Sequence, residues 1–280
     1  MFLNKSEVRK LMTSSLREDI GRGDITSQSV VPAKLIGKAR ITLKEDAVVC
    51  GLNLLNYFFP KSQFRRKSFC NEGDFLHKNS IVLKIEGNYR KLLERERVFL
   101  NFLGHLSGIA TLTHHFVQAC KNKKIKILET RKTTPLLRSL EKYAVCVGGG
   151  TNHRFDLNDA ILIKENHINA VKSVYHAVRL AQQKNPHKII EVEVKNLSEV
   201  REALVAQANI ILLDNMSMTQ IKRALSLRAQ PGNRKAKIEV SGGVTLKNIK
   251  KLTKLKIDRI SIGALTHSAK SIDYSLWIEK

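Results

Sequence analysis

Short apolar runs recur along the second half of the chain, and most are followed by a longer stretch with helical spacing. The six runs are Ile125–Leu128, Ala160–Ile163, Ile189–Val192, Ile210–Leu213, Ile238–Val240 and Ile260–Ile262. The helical stretches between them include Ala170–Lys184, Leu197–Gln207 and Met218–Leu227. The residues that follow the runs, from Arg131 to Gly263, lie 21 to 33 residues apart, which is the repeat of a βα unit. The pattern predicts a parallel sheet that closes into a βα barrel, with an open doubly wound sheet as the alternative.

The first hundred residues have a mixed pattern that predicts a separate α/β layer. Apolar residues at helical spacing predict a helix over Ser6–Arg17, with Ser6 as its N-cap. Residues 37–49 and 80–86 are rich in β-formers and are predicted as strands of an antiparallel sheet.

A single apolar stripe then predicts one long helix from about Arg90 to Cys120. Gly104 and Gly108 interrupt the stripe, which indicates either a bend or a close approach by another segment. This helix is expected to join two domains.

Composition narrows the class of protein. With 42% hydrophobic residues and 5 prolines in 280 positions, the chain has the composition of a folded domain. Its longest apolar runs have about four or five residues, against the roughly 20 that a transmembrane helix needs. The N-terminus lacks the pattern of a secretion signal. The four cysteines form no Cys-x-x-Cys pair, which predicts reduced thiols in a cytoplasmic protein instead of a zinc site or a disulfide framework.

The charge balance is strongly basic. The chain has 49 Lys and Arg against 25 Asp and Glu, a formal net charge of +24. A surplus of this size makes nucleic acid an obvious candidate partner. However, the sequence contains no zinc finger or RNA-recognition signature, and Lys-rich stretches such as 121–124 and 247–256 are expected to be solvated faces. The motifs must therefore decide the function.

Charged residues follow four of the six apolar runs, at the edge where a parallel sheet would gather them. They are Arg131 with Lys132, Lys164, Glu193 and Asp214, and His153 and Arg154 lie on the loop before the second run. Each alone would pass as a solvated or capping residue. Together they predict a site for a multiply anionic ligand at the carboxyl ends of the strands, with the arginines as carboxylate or phosphate clamps. Glu193 and Asp214 can hold Mg²⁺ or accept hydrogen bonds from a ribose.

Glycines follow the last two runs. Ser241-Gly242-Gly243 precedes a helix predicted from about Leu246, and Gly263 follows the final run. Loops after the last strands of such barrels commonly bind phosphate through backbone N–H groups, which requires residues without bulky side chains. The residues together predict a sugar phosphate or diphosphate bound beside an organic acid.

These motifs resemble, in order and spacing, those of the quinolinate phosphoribosyltransferase family. The matching segments are Leu16-Arg17-Glu18-Asp19, Glu96-Arg97-Val98-Phe99, Leu106-Ser107-Gly108-Ile109, Thr130-Arg131-Lys132-Thr133, Asn152-His153-Arg154, Lys164-Glu165-Asn166-His167, Glu191-Val192-Glu193, Leu213-Asp214-Asn215, Ser241-Gly242-Gly243 and Ile262-Gly263-Ala264-Leu265-Thr266-His267. The resemblance extends to about residue 270. Two local departures are Arg22 in the N-terminal loop and Asp156, where many bacterial members have glycine.

The resemblance implies an α/β fold in which an N-terminal α/β sandwich is followed by an open βα barrel, as in type II phosphoribosyltransferases. The expected domains are residues 1–108, to which 268–280 return, and residues 109–267. Members are homodimers or higher homo-oligomers, with Arg97 supplied across the interface. The cofactor implied is Mg²⁺, held by Glu193 and Asp214 directly or through water or ribose.

The resemblance also implies roles for individual residues. Quinolinate would be bound by Arg97, Arg131, His153, Arg154 and Lys164. The phosphoribosyl pyrophosphate and Mg²⁺ side would be formed by Lys132, Glu193, Asp214, Ser241, Gly242, Gly243, Gly263 and His267. The residues expected to act in catalysis are Lys132, Lys164, Glu193 and Asp214.

The reaction implied is transfer of phosphoribosyl to quinolinate with decarboxylation, which gives nicotinate mononucleotide for NAD biosynthesis. Three alternatives remain open from the sequence. The first is a phosphoribosyltransferase that acts on a related nitrogenous acid without decarboxylation. The second is a barrel aldolase with Lys132 or Lys164 as its Schiff-base lysine, and the third is a basic nucleic-acid-binding protein without enzymatic activity. The first reading predicts no nucleic-acid or membrane partner.

Overall fold

The structure, a computed structural model, describes residues 5–122, 124–233 and 235–279. Its strands are β1 (Ile36–Leu43), β2 (Ala47–Val48), β3 (Phe64–Ser68), β4 (Phe75–Leu76), β5 (Ile81–Asn88), β6 (Lys126–Leu128), β7 (Ile161–Ile163), β8 (Ile190–Val194), β9 (Ile210–Asp214), β10 (Lys237–Ser241), β11 (Arg259–Ser261) and β12 (Tyr274–Glu279). Its helices are α1 (Lys5–Ile20), α2 (Ile25–Val30), α3 (Leu55–Phe58), α4 (Tyr89–Cys120), α5 (Arg138–Val147), α6 (Glu165–Val171), α7 (Val174–Lys184), α8 (Leu197–Val205), α9 (Met218–Ala229), α10 (Ile249–Leu252) and α11 (Ala264–His267).

The chain divides by packing into two compact units. The first comprises Met1–His114, Thr133–Gly149 and Leu265–Lys280, and the second comprises His115–Lys132 and Gly150–Ala264. This division assigns residues 109–114 and 133–149 to the first unit, whereas the sequence predicts a boundary after residue 108. The domain boundaries therefore stay a prediction.

The first unit contains an antiparallel sheet in the order β12-β1-β5-β3. Residues of β1 alternate between exposed and buried, because successive side chains of a strand point to opposite faces. The buried face continues into an aromatic cluster in which the Phe59 ring lies 5.3 Å from that of Phe64 and 5.4 Å from that of Phe99. Both contacts are edge-to-face, the arrangement that ring quadrupoles favour. The cluster thus ties β3 to α4 in the core.

The two glycines of α4 are sites of close packing. A Cβ at Gly104 would lie 2.6 Å from the Ile272 carbonyl oxygen, and a Cβ at Gly108 would lie 2.2 Å from that of Lys270. The Ile272 N–H also donates to the Gly104 carbonyl at 3.0 Å. Of the two sequence-based readings, close approach is confirmed, and the segment that approaches leads directly into β12.

The second unit is built on a parallel sheet in the order β6-β11-β10-β9-β8-β7. All six predicted runs form its strands, and the pairing leaves β6 and β7 as edges in the described part of the chain. The predicted helix over Ala170–Lys184 is two helices, because Lys172 adopts a left-handed φ of 56° and Ser173 caps α7. The predicted fold class, an N-terminal α/β sandwich followed by an open βα barrel, is confirmed.

The predictions of solvated lysine stretches and of no transmembrane helix both concern the surface and the helices of the chain. Lysines of the stretches 121–124 and 247–256 are exposed as predicted, except that Lys123 lies outside the described residues. Over the described ranges, no helix combines the length and apolar character needed to cross a bilayer.

Candidate active site

Four polar residues stand at the carboxyl ends of neighbouring strands in the second unit. In the parallel pair of β7 and β8, Leu162 lies beside Glu191. Two residues further along each strand, Lys164 therefore lies beside Glu193. In the same way, Asp214 of β9 pairs with Ser241 of β10. Because side chains alternate along a strand, these four residues point to the same side of the sheet. We refer to Lys164, Glu193, Asp214 and Ser241 as the upper layer.

The charges of the upper layer are close but incompletely compensated. Lys164 Nζ lies 3.7 Å from Glu193 Oε2, and the Lys164 side chain is 50% exposed. Burial raises the pKa of Glu193 above its usual value; Lys164 lowers it, and the negative charge of Asp214 raises it further. Two carboxylates thus repel each other at adjacent strand ends. A divalent cation or a ribose hydroxyl would relieve that repulsion.

Two arginines face the same region with buried donors. Arg131 follows β6 and Arg154 lies on the loop before β7; the Nε atom of each is buried and has no hydrogen-bond partner among the described residues. Burial and then the positive charge of Arg131 lower the pKa of Arg154. The two guanidinium groups are therefore close enough to repel each other. A ligand with two negative charges would satisfy both.

A buried carboxylate fixes the loop that carries Arg154. The side chain of Glu129, fully buried, accepts from the His153 backbone N–H at 3.0 Å and from Asn152 Nδ2 at 3.1 Å. Thr151 extends the edge of the sheet, since its N–H donates to the Ile127 carbonyl at 2.8 Å. Arg154 Nη1 donates to the Ala160 carbonyl at 3.0 Å. Hydrogen bonds therefore fix the backbone of the loop before Arg154 and the guanidinium itself.

A second set of charges lies one layer below the first. His153 Nε2 is 3.3 Å from Glu191 Oε1 and 3.4 Å from Glu239 Oε1, and Arg259 Nε lies 2.8 Å from Glu239 Oε2. The Arg259 to Glu239 contact is an ion pair whose direction is poor for a hydrogen bond, since both groups lack a well-aligned partner among the described residues. We refer to His153, Glu191, Glu239 and Arg259 as the lower layer.

The lower layer is an ion-pair network in which an arginine lies where a metal ion could otherwise be held. Ligand atoms of His153, Glu191 and Glu239 lie within 4.8 Å of one another, which is close enough for a cation. The Arg259 guanidinium already occupies that role, because it pairs with Glu239 and lies 4.0 Å from Glu191. Two carboxylates and two cations therefore balance each other inside the sheet.

The ionisation of the lower layer follows from this balance. Burial lowers the pKa of His153, but its close contacts with the negatively charged Glu191 and Glu239 outweigh burial and raise the pKa to about 9. Burial likewise raises the pKa of Glu239, but His153 and Arg259 more than offset this and hold it below its usual value. The Arg154 N–H also lies 2.7 Å from His153 Nδ1, a contact that suits a neutral ring. A ring protonated at both nitrogens cannot keep that contact, whereas a neutral ring leaves one of the two buried carboxylates without a compensating cation, so the carboxylates favour the imidazolium.

The glycine loop after β10 requires glycine at one position. Gly242 has a φ of 89°, and a Cβ there would lie 2.2 Å from Asn215 Oδ1. Gly243 has a φ of 58° and open space around its Cα. The helix predicted from about Leu246 begins instead at Ile249 and has four residues, because Thr245 and Asn248 close a turn before it. The prediction of that helix start was wrong.

Of the remaining predicted residues, Lys132, Arg97 and His267 are exposed and Gly263 is half-buried. Lys132 follows Arg131, and its N–H donates to Thr130 Oγ1 at 3.1 Å. Gly263 directly precedes α11. In the first unit, Arg97 is exposed on α4, and His267 ends α11 with its Nδ1 2.7 Å from Ser268 Oγ. The second unit thus brings together Arg131, His153, Arg154 and the upper layer, while the roles of Arg97 and His267 stay predictions.

Comparison with known families identifies the origin of this arrangement. The model for the quinolinate phosphoribosyl transferase N-terminal domain matches residues 24–107, and that for the C-terminal domain matches residues 109–277. The chain belongs to the quinolinate phosphoribosyltransferase family.

Individual members are similar over nearly their whole length. A probable nicotinate-nucleotide pyrophosphorylase (carboxylating) of Methanocaldococcus jannaschii is 45% identical, covering 97% of each chain. A protein of the same name from Bacillus subtilis is 40% identical over 98% of this chain and 94% of its own. The crystal structure of NadC from Streptococcus pyogenes superposes with a TM-score of 0.92, at 41% identity and 100% coverage of both chains. The fold of this quinolinate phosphoribosyltransferase family member is thus that of its relatives.

Sequence reasoning found His153 but missed Glu129 and the other three residues of the lower layer, Glu191, Glu239 and Arg259. Glu191 and Glu239 sit inside apolar runs that the sequence assigns to buried strands, and Arg259 precedes another such run. A charged residue inside a buried strand is itself a signal, since it is rarely tolerated without a partner. In this member of the quinolinate phosphoribosyltransferase family, those partners are one another.

Proposed function

We propose that the chain transfers the phosphoribosyl group of phosphoribosyl pyrophosphate to quinolinate and releases pyrophosphate and CO₂, giving nicotinate mononucleotide. The reaction would serve de novo NAD biosynthesis, and the enzyme is a pentosyltransferase. The observation that carries the proposal is the pair Arg131 and Arg154, whose buried Nε atoms lack partners in the described chain. A pyridine dicarboxylate supplies the two negative charges that this pair requires.

The dicarboxylate is bound by cations on three elements. Arg131 and Arg154 would hold one or both carboxylates, and Lys164 Nζ, half-exposed beside Glu193, would reach the acid from β7. His153 supports Arg154 from below through its contacts with the lower layer. The predicted fifth cation is Arg97 from a second subunit of a homodimer or higher oligomer. Holding the acid rigidly in line with the sugar would itself give a large rate gain.

The sugar phosphate side is assigned to the carboxylates and the glycine loops. Glu193 and Asp214 would hold the ribose hydroxyls or Mg²⁺, while Ser241, Gly242, Gly243 and Gly263 present backbone N–H groups to the 5-phosphate. Lys132 and His267 are assigned to the pyrophosphate. Mg²⁺ fits the mutually repelling carboxylates of Glu193 and Asp214, and when bound it would neutralise the charge of the diphosphate.

The chemistry needs no enzyme nucleophile. The quinolinate ring nitrogen bonds to C1 of the ribose as the bond from C1 to pyrophosphate breaks, and the electron pair leaves with pyrophosphate. Glu193 and Asp214 favour the positive charge that develops at C1, and Lys132 stabilises the leaving oxygen. When the 2-carboxylate departs as CO₂, the electron pair of the broken bond stays on ring carbon 2, where the positive charge of the adjacent alkylated nitrogen stabilises it. A proton from solvent then replaces the carboxylate on that carbon.

The rivals from the sequence fit less well. A Schiff-base lysine needs a desolvated amine, whereas Lys164 is half-exposed and ion-paired with Glu193. A monocarboxylate such as nicotinate would leave one of the two arginines unsatisfied. Four cysteines without a disulfide in the described chain fit a reducing compartment, so we propose a cytoplasmic enzyme.

One assay tests the proposal. The purified protein is incubated with phosphoribosyl pyrophosphate, Mg²⁺ and quinolinate carrying ¹³C in its 2-carboxyl group. We expect equal amounts of ¹³CO₂ and nicotinate mononucleotide. Turnover of nicotinate at a comparable rate, or nucleotide formation without CO₂, would instead establish the non-decarboxylating alternative.

A further inference from the structure

The outer face of the antiparallel sheet in the first unit carries a row of like charges. Strand register places Trp277 of β12 beside Arg40 of β1, Arg40 beside Lys84 of β5, and Lys84 beside Lys67 of β3. All four side chains lie on the exposed face, opposite the aromatic core. We refer to Arg40, Lys84 and Lys67 as the cationic row.

This row is unfavourable for folding on its own. Like charges directly opposite each other on neighbouring strands destabilise a sheet. The next row along the strands avoids the problem, because Glu279, Lys38, Glu86 and Arg65 alternate in sign. In the cationic row, Arg40 has only a distant contact with exposed Glu279 at 3.7 Å. Within the described ranges, neither Lys67 nor Lys84 forms an ion pair with a carboxylate.

Two exposed aromatic side chains border the cationic row. Trp277 is 63% exposed at one end, and Phe69, just past β3, is 45% exposed at the other. Lys67 Nζ and Lys84 Nζ lie 5.2 and 5.6 Å from the centre of the Phe69 ring. The cations are thus held over an aromatic face instead of being neutralised. An open groove runs along the same strands and includes Lys38, Arg40, Lys67 and Lys84 in its lining.

Cations between exposed aromatic rings form a surface suited to one class of ligand. Single-stranded nucleic acid offers phosphates to the cations and base faces to the rings, and each base stacked on an aromatic side chain strengthens binding substantially. A four-stranded antiparallel sheet with exposed aromatic residues stacks two or three bases in a common RNA-binding module. A duplex hides its base faces, and a simple phosphate would use the cations alone.

We propose that this sheet face binds single-stranded nucleic acid, with its phosphates on Arg40, Lys84 and Lys67 and its bases on Trp277 and Phe69. The site uses none of the strand-end residues of the second unit and does not depend on the function proposed for them. It differs from the prediction that nucleic acid is no partner, and it accounts for part of the basic surplus that catalysis leaves unused.

The chain contains 1 tryptophan, so its fluorescence reports directly on this face. We expect a 12-nucleotide oligouridylate to quench the Trp277 emission, with a dissociation constant of about 1–100 μM at moderate salt. Three phosphate contacts predict a slope of about −2 for log K against log salt concentration. A duplex of the same length and inorganic tripolyphosphate serve as competitors, and both should compete at least tenfold more weakly.

Variants separate the site from general basicity. Lys84→Gln should weaken binding several-fold and reduce the salt slope by about 0.7, because one phosphate contact is lost. It should also raise the thermal midpoint, because Lys84 no longer repels Arg40 and Lys67 on the neighbouring strands. Phe69→Ser, followed through Trp277 emission, should weaken binding about tenfold. Lys222→Gln, which removes one exposed charge from α9 of the second unit, is the matched control and should change neither value.

Three outcomes would overturn the proposal. The first is oligonucleotide binding, detected by anisotropy, without any change in Trp277 emission. The second is equal loss of affinity in Lys84→Gln and Lys222→Gln, which would indicate unspecific attraction by the net charge. The third is a change of oligomeric state in Lys84→Gln by light scattering, which would make this face a contact between copies of the chain.

Discussion

The upper and lower layers of the parallel sheet use the same residue types in opposite ways. In the lower layer, the Glu239 side chain is fully buried and that of Arg259 is 15% exposed, and each charged group lies within 4.0 Å of a group of opposite charge. In the upper layer, the Lys164 side chain is half-exposed, and its positive charge is compensated by Glu193 at a distance of 3.7 Å. Asp214 and Glu193 even repel each other.

The difference teaches which charges serve the fold and which are available to a ligand. Buried charges that balance one another fix geometry and have nothing left to offer a substrate. Charges that remain partly solvated and mutually unfavourable gain from a ligand of the right charge pattern. On this reasoning, the lower layer positions Arg154 through His153, and the upper layer meets the substrates.

The largest effect is expected in the lower layer. Glu239→Ala leaves Arg259 and His153 with Glu191 as their only carboxylate in the lower layer and should reduce the free energy of unfolding by about 3 kcal/mol. Chemical denaturation measures the loss. Glu279→Ala removes a carboxylate from an exposed ion pair and should cost less than about 0.5 kcal/mol. Equal losses in the two variants would show that the lower layer does not stabilise the sheet.

Substitution in the upper layer should change the reaction and leave the fold intact. Asp214→Asn keeps the shape but removes the charge, so we expect kcat to fall about a hundredfold and half-maximal Mg²⁺ concentration to rise. Glu7→Gln, which neutralises an exposed carboxylate on α1 in the first unit, is the matched control. If Asp214→Asn lowers the thermal midpoint by many degrees with unchanged kcat, the two layers do not divide their tasks in this way.

The arginine pair should affect one substrate selectively. Arg131→Ala and Arg154→Ala each remove a charge-assisted contact to a carboxylate and should raise the KM for quinolinate about 30-fold. The KM for phosphoribosyl pyrophosphate should change far less. Arg179→Ala removes an exposed arginine of α7 as a control. Equal effects on both substrates would contradict the assignment.

The stability of the lower layer should also depend on pH. The pKa of His153 rises from 6.5 to about 9 on folding, so its protonation stabilises the fold fully below pH 6.5. That contribution, at most ~3 kcal/mol, is lost as the pH rises through about 9. We expect the thermal midpoint to fall between pH 7 and 9, and the fall to disappear in His153→Gln. An identical pH profile in both proteins would refute the coupling.

The sequence predicts the upper layer better than the lower one, for a physical reason. A residue at the end of an apolar run is placed by the strand that precedes it, so the positions of Lys164 and Asp214 follow from local periodicity. Glu239 and Arg259 meet only because β10 and β11 pair in a particular register. Such contacts depend on tertiary structure, which periodicity does not encode.

The same distinction applies to the first unit. Alternation along β1 predicts which residues are exposed, but the row formed by Arg40, Lys84 and Lys67 requires three strands in register. Two features of the second unit also escaped prediction, because local backbone conformation overrides helical spacing. Lys172 adopts a left-handed conformation and separates α6 from α7, and a turn closed by Thr245 and Asn248 shortens α10.

The close packing of residues 270–272 on the two glycines of α4 has a consequence for synthesis on the ribosome. β12 pairs with β1, and residues 270–272 pack on Gly104 and Gly108. Both segments leave the ribosome only after the whole second unit has been synthesised. Until then β1 has an open edge, which is a site for wrong pairing with other chains. The first unit is therefore the first to be synthesised and the last to be completed. Its incomplete form on the ribosome is the one that a chaperone would most need to protect.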